Sequence, residues 1–519
     1  MSQKDRILKV ISNKTETNNE FKQLLTELID KHSQNYFSDI IDMLSSSEHE
    51  LLTKKLHNLT NESILLISSP EEGSDSILIT SKVLQQICEL LLLYLETTKY
   101  RYNTIFTTIQ KLHDILISLD ETQYNTKQII TSIITLKTLI SRLCEYCWIN
   151  KEPASERFIT QLIPYLLLNS LKSTAHENDI KRVYKIHSAF TLLDYEANTI
   201  ESIHIMLMNC YTNILYLKYN DGKKFLSYLF SVHLGLHKDI LHTMRTHLLD
   251  GHNSDHHALT RTQMTKIATA YGDILYNAWK HMVDDSLEKQ SIEESLQTLL
   301  HQAIHSSNPP YFNALRIILN TFHEAKRYKG VDSMLLRVYG PILWRSLKCA
   351  NYIVRVQATM IFFDSFPLQD EEASASESDL ILQKQFDMLT PMLKDDDHRV
   401  RSAAATGVCH VLKEFWAALP ASTTKQSLSY VVGTLGRDAS DATVRVAVMS
   451  GLYDLLDQPL AHPVMKSLLP LLSNTIHDVS ERVRVGVIQI LIKVSLVLVW
   501  CYFKVKLTHF SHLSMRVCI

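Results

Sequence analysis

The sequence predicts an all-α fold built from stacked helical pairs, and three observations carry that expectation. Glycine and proline number only 12 each in 519 residues, about a third and a half of average usage. Doubly wound sheets, sandwiches and propellers need such residues at many turns, whereas helices joined by short polar loops need few. Apolar residues recur at helical spacing over long stretches. A motif near the carboxyl end returns at intervals of 46, 44 and 39 residues, the range of helical-pair solenoids. With 45% hydrophobic and 21% charged residues, the chain can bury a sizeable core and is not disordered throughout.

Taken in order, residues 1–150 read as an amino-terminal helical region. Leu24, Leu25, Leu28 and Ile29, then Ile130, Ile133, Ile134, Leu136, Leu139 and Ile140, mark amphipathic helices. Residues 151–330 form a second helical region, 331–495 hold four repeats, and 496–519 read as an aberrant or unstructured apolar tail. Two stretches break the helical pattern, Ser69–Ser76 and the acidic, serine-rich 370–379. Both are expected as solvated loops, and the second as a candidate phosphate acceptor.

The repeat is anchored on four Val-Arg pairs: Val354-Arg355, Val400-Arg401, Val444-Arg445 and Val483-Arg484. Three residues before each valine stand Asn351, Asp397, Asp441 and Ser480, all preferred helix N-caps. Four residues after it stand Ala358, Ala404, Val448 and Val487, which put a small apolar residue on the same helix face for close packing. An apolar stretch precedes each cap, so each unit reads as helix, polar turn, helix.

This pattern resembles the HEAT repeat. The resemblance implies a superhelix in which a polar turn residue and an arginine form a ladder between neighbours. Asp397, Arg401, Asp441 and Arg445 fit that ladder; Asn351 with Arg355 and Ser480 with Arg484 depart from aspartate and imply weaker, neutral bonds. The run Leu335–Asn351, Gly407-Val408-Cys409, Ser467–Pro470, Gly222–Leu226 and Tyr271–Lys280 are similar to the G-type, non-SMC HEAT subunits of condensin II. That likeness covers roughly 155–495 well and the first 150 residues loosely. It implies further repeats beyond Val494, so the change to Ser495–Lys506 is expected as a truncated or aberrant end.

Catalytic chemistry finds no motif. No phosphate loop, dinucleotide fingerprint, zincin helix or nucleophile elbow occurs, so no catalytic, cofactor-binding or metal site is expected. Cys144 and Cys147 form the one Cys-x-x-Cys, without the second pair that zinc needs. Eight scattered cysteines suit a reducing compartment. His242, His247, His252, His256 and His257 crowd a stretch expected as a solvated polar loop. The amino terminus carries no apolar leader. Residues 485–503 are apolar over nearly a bilayer's span but include Gln489 and Lys493, so no membrane anchor is expected; Ile488, Leu491 and Ile492 are instead expected to complete the fourth repeat on one packed stripe.

Charge is nearly balanced, at −2 overall. Residues 331–495 hold 16 Lys and Arg against 18 Asp and Glu, so no broad basic field marks a nucleic-acid binder. The condensin resemblance implies a non-catalytic scaffold in the nucleus, on chromosomes. By that likeness it binds the kleisin subunit, joins the SMC ATPase pair through it, and engages DNA or chromatin only in the complex. Arg337, Arg345, Lys348, Lys394 and Arg399 are candidate kleisin or DNA contacts. The alternative is a HEAT-type transport or trafficking adaptor gripping peptides on its concave face.

Overall fold

The computed structural model describes residues 41–67, 74–119, 124, 126–197, 200–253 and 259–495. The amphipathic stretch around Leu24–Ile29, residues 69–73 of the break expected at Ser69–Ser76, His256 and His257, and the 496–519 tail lie outside them, whereas Ser74–Ser76 of that break are helical. Among the described residues every regular element is helical. The chain forms two compact units, Met1–Tyr228 and Leu229–Ile519.

In the first unit α1 (Ser46–Ile67), α2 (Ser74–Thr97), α3 (Asn103–Ser118) and α4 (Lys127–Ile149) pack as two pairs. Leu59, Leu84, Ile87, Ile109, Leu112, Ile133, Leu136 and Ile140 close their shared core and are wholly buried. By length and composition α2 could cross a membrane over Asp75–Thr97. Here it lies between α1 and α4, with Leu84, Ile87, Cys88, Leu91, Tyr94 and Leu95 covered. After α5 (Ser155–Leu171) and α6 (Glu177–Lys185) the regularity loosens into α7 (Glu201–Thr212), α8 (Ile214–Lys218) and α9 (Asn220–Tyr228).

The second unit runs through α10 (Leu236–Asn253), α11 (Arg261–His281), α12 (Leu287–His305), α13 (Pro309–Glu324), α14 (Val331–Ser346), α15 (Tyr352–Ser365), α16 (Ala375–Leu393), α17 (His398–Phe415), α18 (Ala421–Gly433), α19 (Ala442–Leu455) and α20 (His462–Leu468). A 3₁₀ segment, Leu469–His477, and a helix over 481–495 finish it. Short polar side chains start many of these helices by accepting an otherwise orphaned backbone N–H. Thr260 and Ser374 do so in capping boxes with Gln263 and Glu377, and Ser286, Asn308, Asn351, Asp397 and Asp441 do so alone.

Second helices stack on second helices: α11 on α13, α13 on α15, α15 on α17, and α17 on α19. Val354, Val400, Val444 and Val483 are buried, as are Ala358, Ala404, Val448 and Val487. The tight α17–α19 approach is set by Gly451, where a Cβ would stand 2.8 Å from the Cβ and Sγ of Cys409. A larger side chain there would force the helices apart.

The expected boundaries at 150 and 330 do not coincide with the break between units. Packing of α4 on α5 and of α12 on α14 runs across them. The stretch 370–379 is largely exposed, as expected, but only its first half is a loop. Ser333 Oγ donates to Asp370 at 2.6 Å, Glu371 accepts the Gly330 N–H at the start of α14, and α16 begins at Ala375. Its acids satisfy a helix start, where negative charge is favoured. His242, His247 and His252 are helical, within α10, and His247 Nδ1 lies 2.6 Å from the Tyr271 hydroxyl.

Candidate interaction surface

The ladder is real in geometry but uses other aspartates than the expected ones. Arg355 reaches Asp395 from Nε at 2.8 Å and Nη2 at 2.9 Å. Arg445 reaches Asp478 at 2.7 and 2.9 Å. Arg401 donates to Asp438 at 2.9 Å and to Ser440 Oγ. Each guanidinium also donates from Nη1 to carbonyls of its own turn: Cys349 and Ala350 for Arg355, Asp395 and Asp396 for Arg401, Asp438 for Arg445. Each arginine therefore ties its own turn to the carboxylate of the next.

The cap residues do not meet the arginine of the preceding pair, and their side-chain oxygens serve their own helix starts. Asn351, Asp397 and Asp441 accept the N–H groups of Ile353, Arg399 and Thr443. The rung aspartates instead sit six or seven residues before the next arginine, and use Oδ1 to accept the N–H two residues on, as Asp395 does from Asp397 and Asp478 from Ser480. Arg355 thus makes a charged rung, not the neutral one expected from Asn351. Hydrogen bonds from Arg445 hold the Asp478 carboxyl below its ordinary range, and the hydrogen bond from Arg399 holds Asp397 down to about 2.

In the first unit, Arg101 donates to both oxygens of Glu152 at 2.8 Å and to the carbonyls of Thr98 and Leu95. Arg182 meets Glu145 at 2.5 Å. Neither pair was apparent in the sequence, because neither arginine stands at the Val-Arg offset from a helix start.

Stacked second helices also leave an open groove of about 850 Å³ in the second unit. Val356 and Phe363 of α15 and Ala403 and Thr406 of α17 line it. Arg316 and Asp364, paired at 2.7 Å, stand at the α13–α15 side, and His410 of α17 and Asp454 of α19 add further polar groups. Arg399 lines it too; its guanidinium carbon is 3.7 Å from the Tyr352 ring centroid and its nitrogens reach Asp397 at 2.9 and 3.0 Å. Both apolar and hydrogen-bonding contacts are therefore available to an extended chain.

The five candidate contact residues do not share this groove. Only Arg399 lines it. Arg337 pairs with Glu293 of α12 at 2.8 Å, Lys394 lies 5.5 Å from the Tyr430 ring centroid, and Arg345 and Lys348 are exposed at the end of α14. Arg316, Asp364, His410 and Asp454 went unread because helices some forty residues apart in sequence bring them together.

No group of three or more His, Cys, Asp or Glu among the described residues could hold a metal. Cys144 and Cys147 are buried in α4, and burial pushes the Cys147 thiol up to about 12, so it stays protonated.

The sequence has relatives among known proteins. A family model described as the condensin II non structural maintenance of chromosomes subunit matches residues 209–370. Condensin-2 complex subunit G2 of Mus musculus is 32% identical over 508 residues, 94% of this chain and 42% of that protein. The chain is a homologue of the condensin II G2 subunits. The Homo sapiens G2 subunit is 31% identical over 94% of this chain, and that of Xenopus laevis 34% over 70%. The chain spans 42% of the length of the mouse and human G2 subunits. Solved structures with similar folds include a Pds5–Scc1 complex, at a TM-score of 0.43 and 13% identity over 92% of this chain and 66% of that one. Yeast importin-beta (Kap95p) gives 0.35 and 11% over 92% and 61%.

Proposed function

We propose that the chain is a non-catalytic HEAT scaffold subunit of condensin II, acting in the nucleus on mitotic chromosomes. It binds the kleisin subunit, joins the SMC ATPase pair through it, and engages DNA only within the complex. The observation that carries this reading is the groove over α15, α17 and α19, which offers an extended peptide an apolar floor and spaced charged partners. Homology to the G2 subunits over most of the chain supports the choice of kleisin as that peptide.

Binding of a purified kleisin fragment tests it. Thr406→Trp places bulk on an exposed groove position, and should weaken the fragment at least about tenfold without altering the melting temperature. Unchanged affinity would remove the groove from the account. With no net positive charge, the chain alone should bind duplex DNA weakly. Adding kleisin should tighten binding and steepen its salt dependence by about one slope unit per added phosphate contact.

A further inference from the structure

Around the turn between α4 and α5 the first unit has an open cleft of about 570 Å³. It is lined by Trp148 and Ile149 at the end of α4, by Ser155 at the start of α5, and by Lys185 at the end of α6. Two residues of the turn, Lys151 and Ala154, hold left-handed φ angles of 56° and 62°. Ala154 is the N-cap of α5 and has no side-chain oxygen, so this 17-residue helix starts without the cap that Thr260, Asn308 and Asp397 supply to others. The N–H groups of Ser155 and Arg157 turn back to the carbonyls of Glu152 and Ala154. That of Glu156, between them, has no acceptor among the described residues.

A second observation points to a ligand. Ser155 is only 7% exposed, yet it lines the cleft, and its Oγ has no hydrogen-bond partner among the described residues. A buried hydroxyl in that state is costly unless something else supplies the bond. Lys151 and Lys185 also line the cleft, and neither has a carboxylate within ion-pair distance among the described residues. Of the two glutamates there, Glu152 gives both oxygens to Arg101 at 2.8 Å, and Glu156 is exposed and unpaired. Two free cations against one free anion, beside an uncapped helix start, make the cleft attractive to negative charge.

The donors exceed what a carboxylate can use. Two ammonium groups, the Ser155 hydroxyl and the Glu156 N–H suit a phosphate monoester, which offers three acceptor oxygens and close to two negative charges. Beside them the half-buried Trp148 and Ile149, 50% exposed, add an apolar wall that inorganic phosphate would leave unused. No asparagine or glutamine lines the cleft to read the edge of a nucleobase. A phosphate carried on a protein segment uses both the cations and the wall.

We infer that this cleft binds a phosphorylated serine or threonine in an extended segment of a partner protein. The phosphate takes Lys151, Lys185 and the start of α5, and Ser155 donates its hydroxyl to it. An apolar side chain next to the phosphorylated residue packs on Trp148 and Ile149. Phosphorylation of the partner is then the condition for docking, because an unmodified hydroxyl engages neither lysine. The site is built within the first unit, and the inference does not depend on the kleisin reading.

The test screens the full-length chain against an oriented library of decapeptides with a central phosphoserine. The best-retained peptide is then titrated by fluorescence anisotropy beside its unphosphorylated form, with inorganic phosphate and ATP as competitors. The phosphopeptide should bind at least about tenfold tighter than its serine form. Lys151→Gln and Lys185→Gln should each weaken it about tenfold, and Ser155→Ala about threefold. Lys181→Gln removes the same charge from α6, where Lys181 already pairs with Glu177 at 2.7 Å, and should leave affinity unchanged. Lys151 and Lys185 are at the surface, and unchanged circular dichroism and melting of the variants show that folding is intact. Equal affinity for the two peptide forms, a phosphate preference that survives Lys185→Gln, or an equal loss from Lys181→Gln overturns the proposal. So does a library from which no peptide is retained. Inorganic phosphate or ATP binding as tightly as the phosphopeptide overturns the assignment to a protein segment and names a free anion or a nucleotide as the occupant.

Discussion

Arg445 and Arg484 stand at the same place in successive helical pairs and differ in what lies beyond them. Arg445 has its own turn on one side and Asp478 on the other, with side-chain exposures of only 16% and 10%. Among the described residues, Arg484 has the first half alone. The valines follow the same division: Val444 and Val483 are equally buried, yet past Val483 the terminal helix turns Ile488, Leu491 and Ile492 to the surface. A pair in such a stack is completed by its neighbour, so equivalent residues carry different energies according to whether the neighbour is there.

The largest expected contrast is between aspartates placed in the two settings. Val400→Asp sets an unpaired charge at a position 1% exposed and should cost about 3 kcal/mol or more. Leu491→Asp should cost less than about 0.5 kcal/mol. Urea unfolding of both variants checks this, and a small loss at Val400 would mean that the α15–α17 interface is not closed.

Next come the rungs. Asp438→Ala leaves Arg401 without its carboxylate in a site where the two side chains are 12% and 10% exposed, and should cost about 2 kcal/mol. Arg484→Gln should stay within about 0.5 kcal/mol, since it removes only bonds to carbonyls of its own turn. Equal losses would erase the distinction between interior and end.

A smaller effect is confined to the interior. His323 of α13 is enclosed, with Nε2 2.8 Å from the Tyr339 hydroxyl. Burial pushes its pKa down to about 3. The unfolded histidine, near 6.5, then takes up a proton that the folded one refuses. Stability contributed by this site is complete above that value and falls as pH drops toward 3, by about 1.4 kcal/mol per pH unit. His323→Gln, which keeps an acceptor for Tyr339, should flatten the slope by one proton in unfolding measured from pH 7 to 4. An unchanged slope would place the proton uptake elsewhere.

Much of the fold could be read from the sequence because the second helix of each pair repeats its cap, its valine and its small residue at constant offsets. The rung acids could also have been found, since Asp395, Asp438 and Asp478 precede Arg401, Arg445 and Arg484 by six or seven residues. They were missed because the ladder and the cap were assigned to one residue, whereas the carboxylates that reach the preceding arginines stand two or three residues before the caps. The stretch 370–379 is solvent-facing as its composition suggests, and what composition did not show is that Glu371 and Ser374 with Glu377 serve helix starts. At the end of the array, periodicity showed two apolar stripes on the terminal helix and had no means of saying which one meets a neighbour. The groove was hidden for another reason: its polar residues meet only through the stacking of α13, α15, α17 and α19.

The ladder's role turns on whether a rung couples one pair to the next. A double-mutant cycle on Arg445→Gln and Asp478→Asn, read by urea unfolding, measures that coupling apart from the cost of each change. About 1.5 kcal/mol or more is expected for the pair, and near zero for the same cycle on Arg484 and Asp478. Coupling below about 0.5 kcal/mol at Arg445–Asp478 would be that of an exposed surface pair, and would contradict the claim that each turn is locked by the carboxylate of the next.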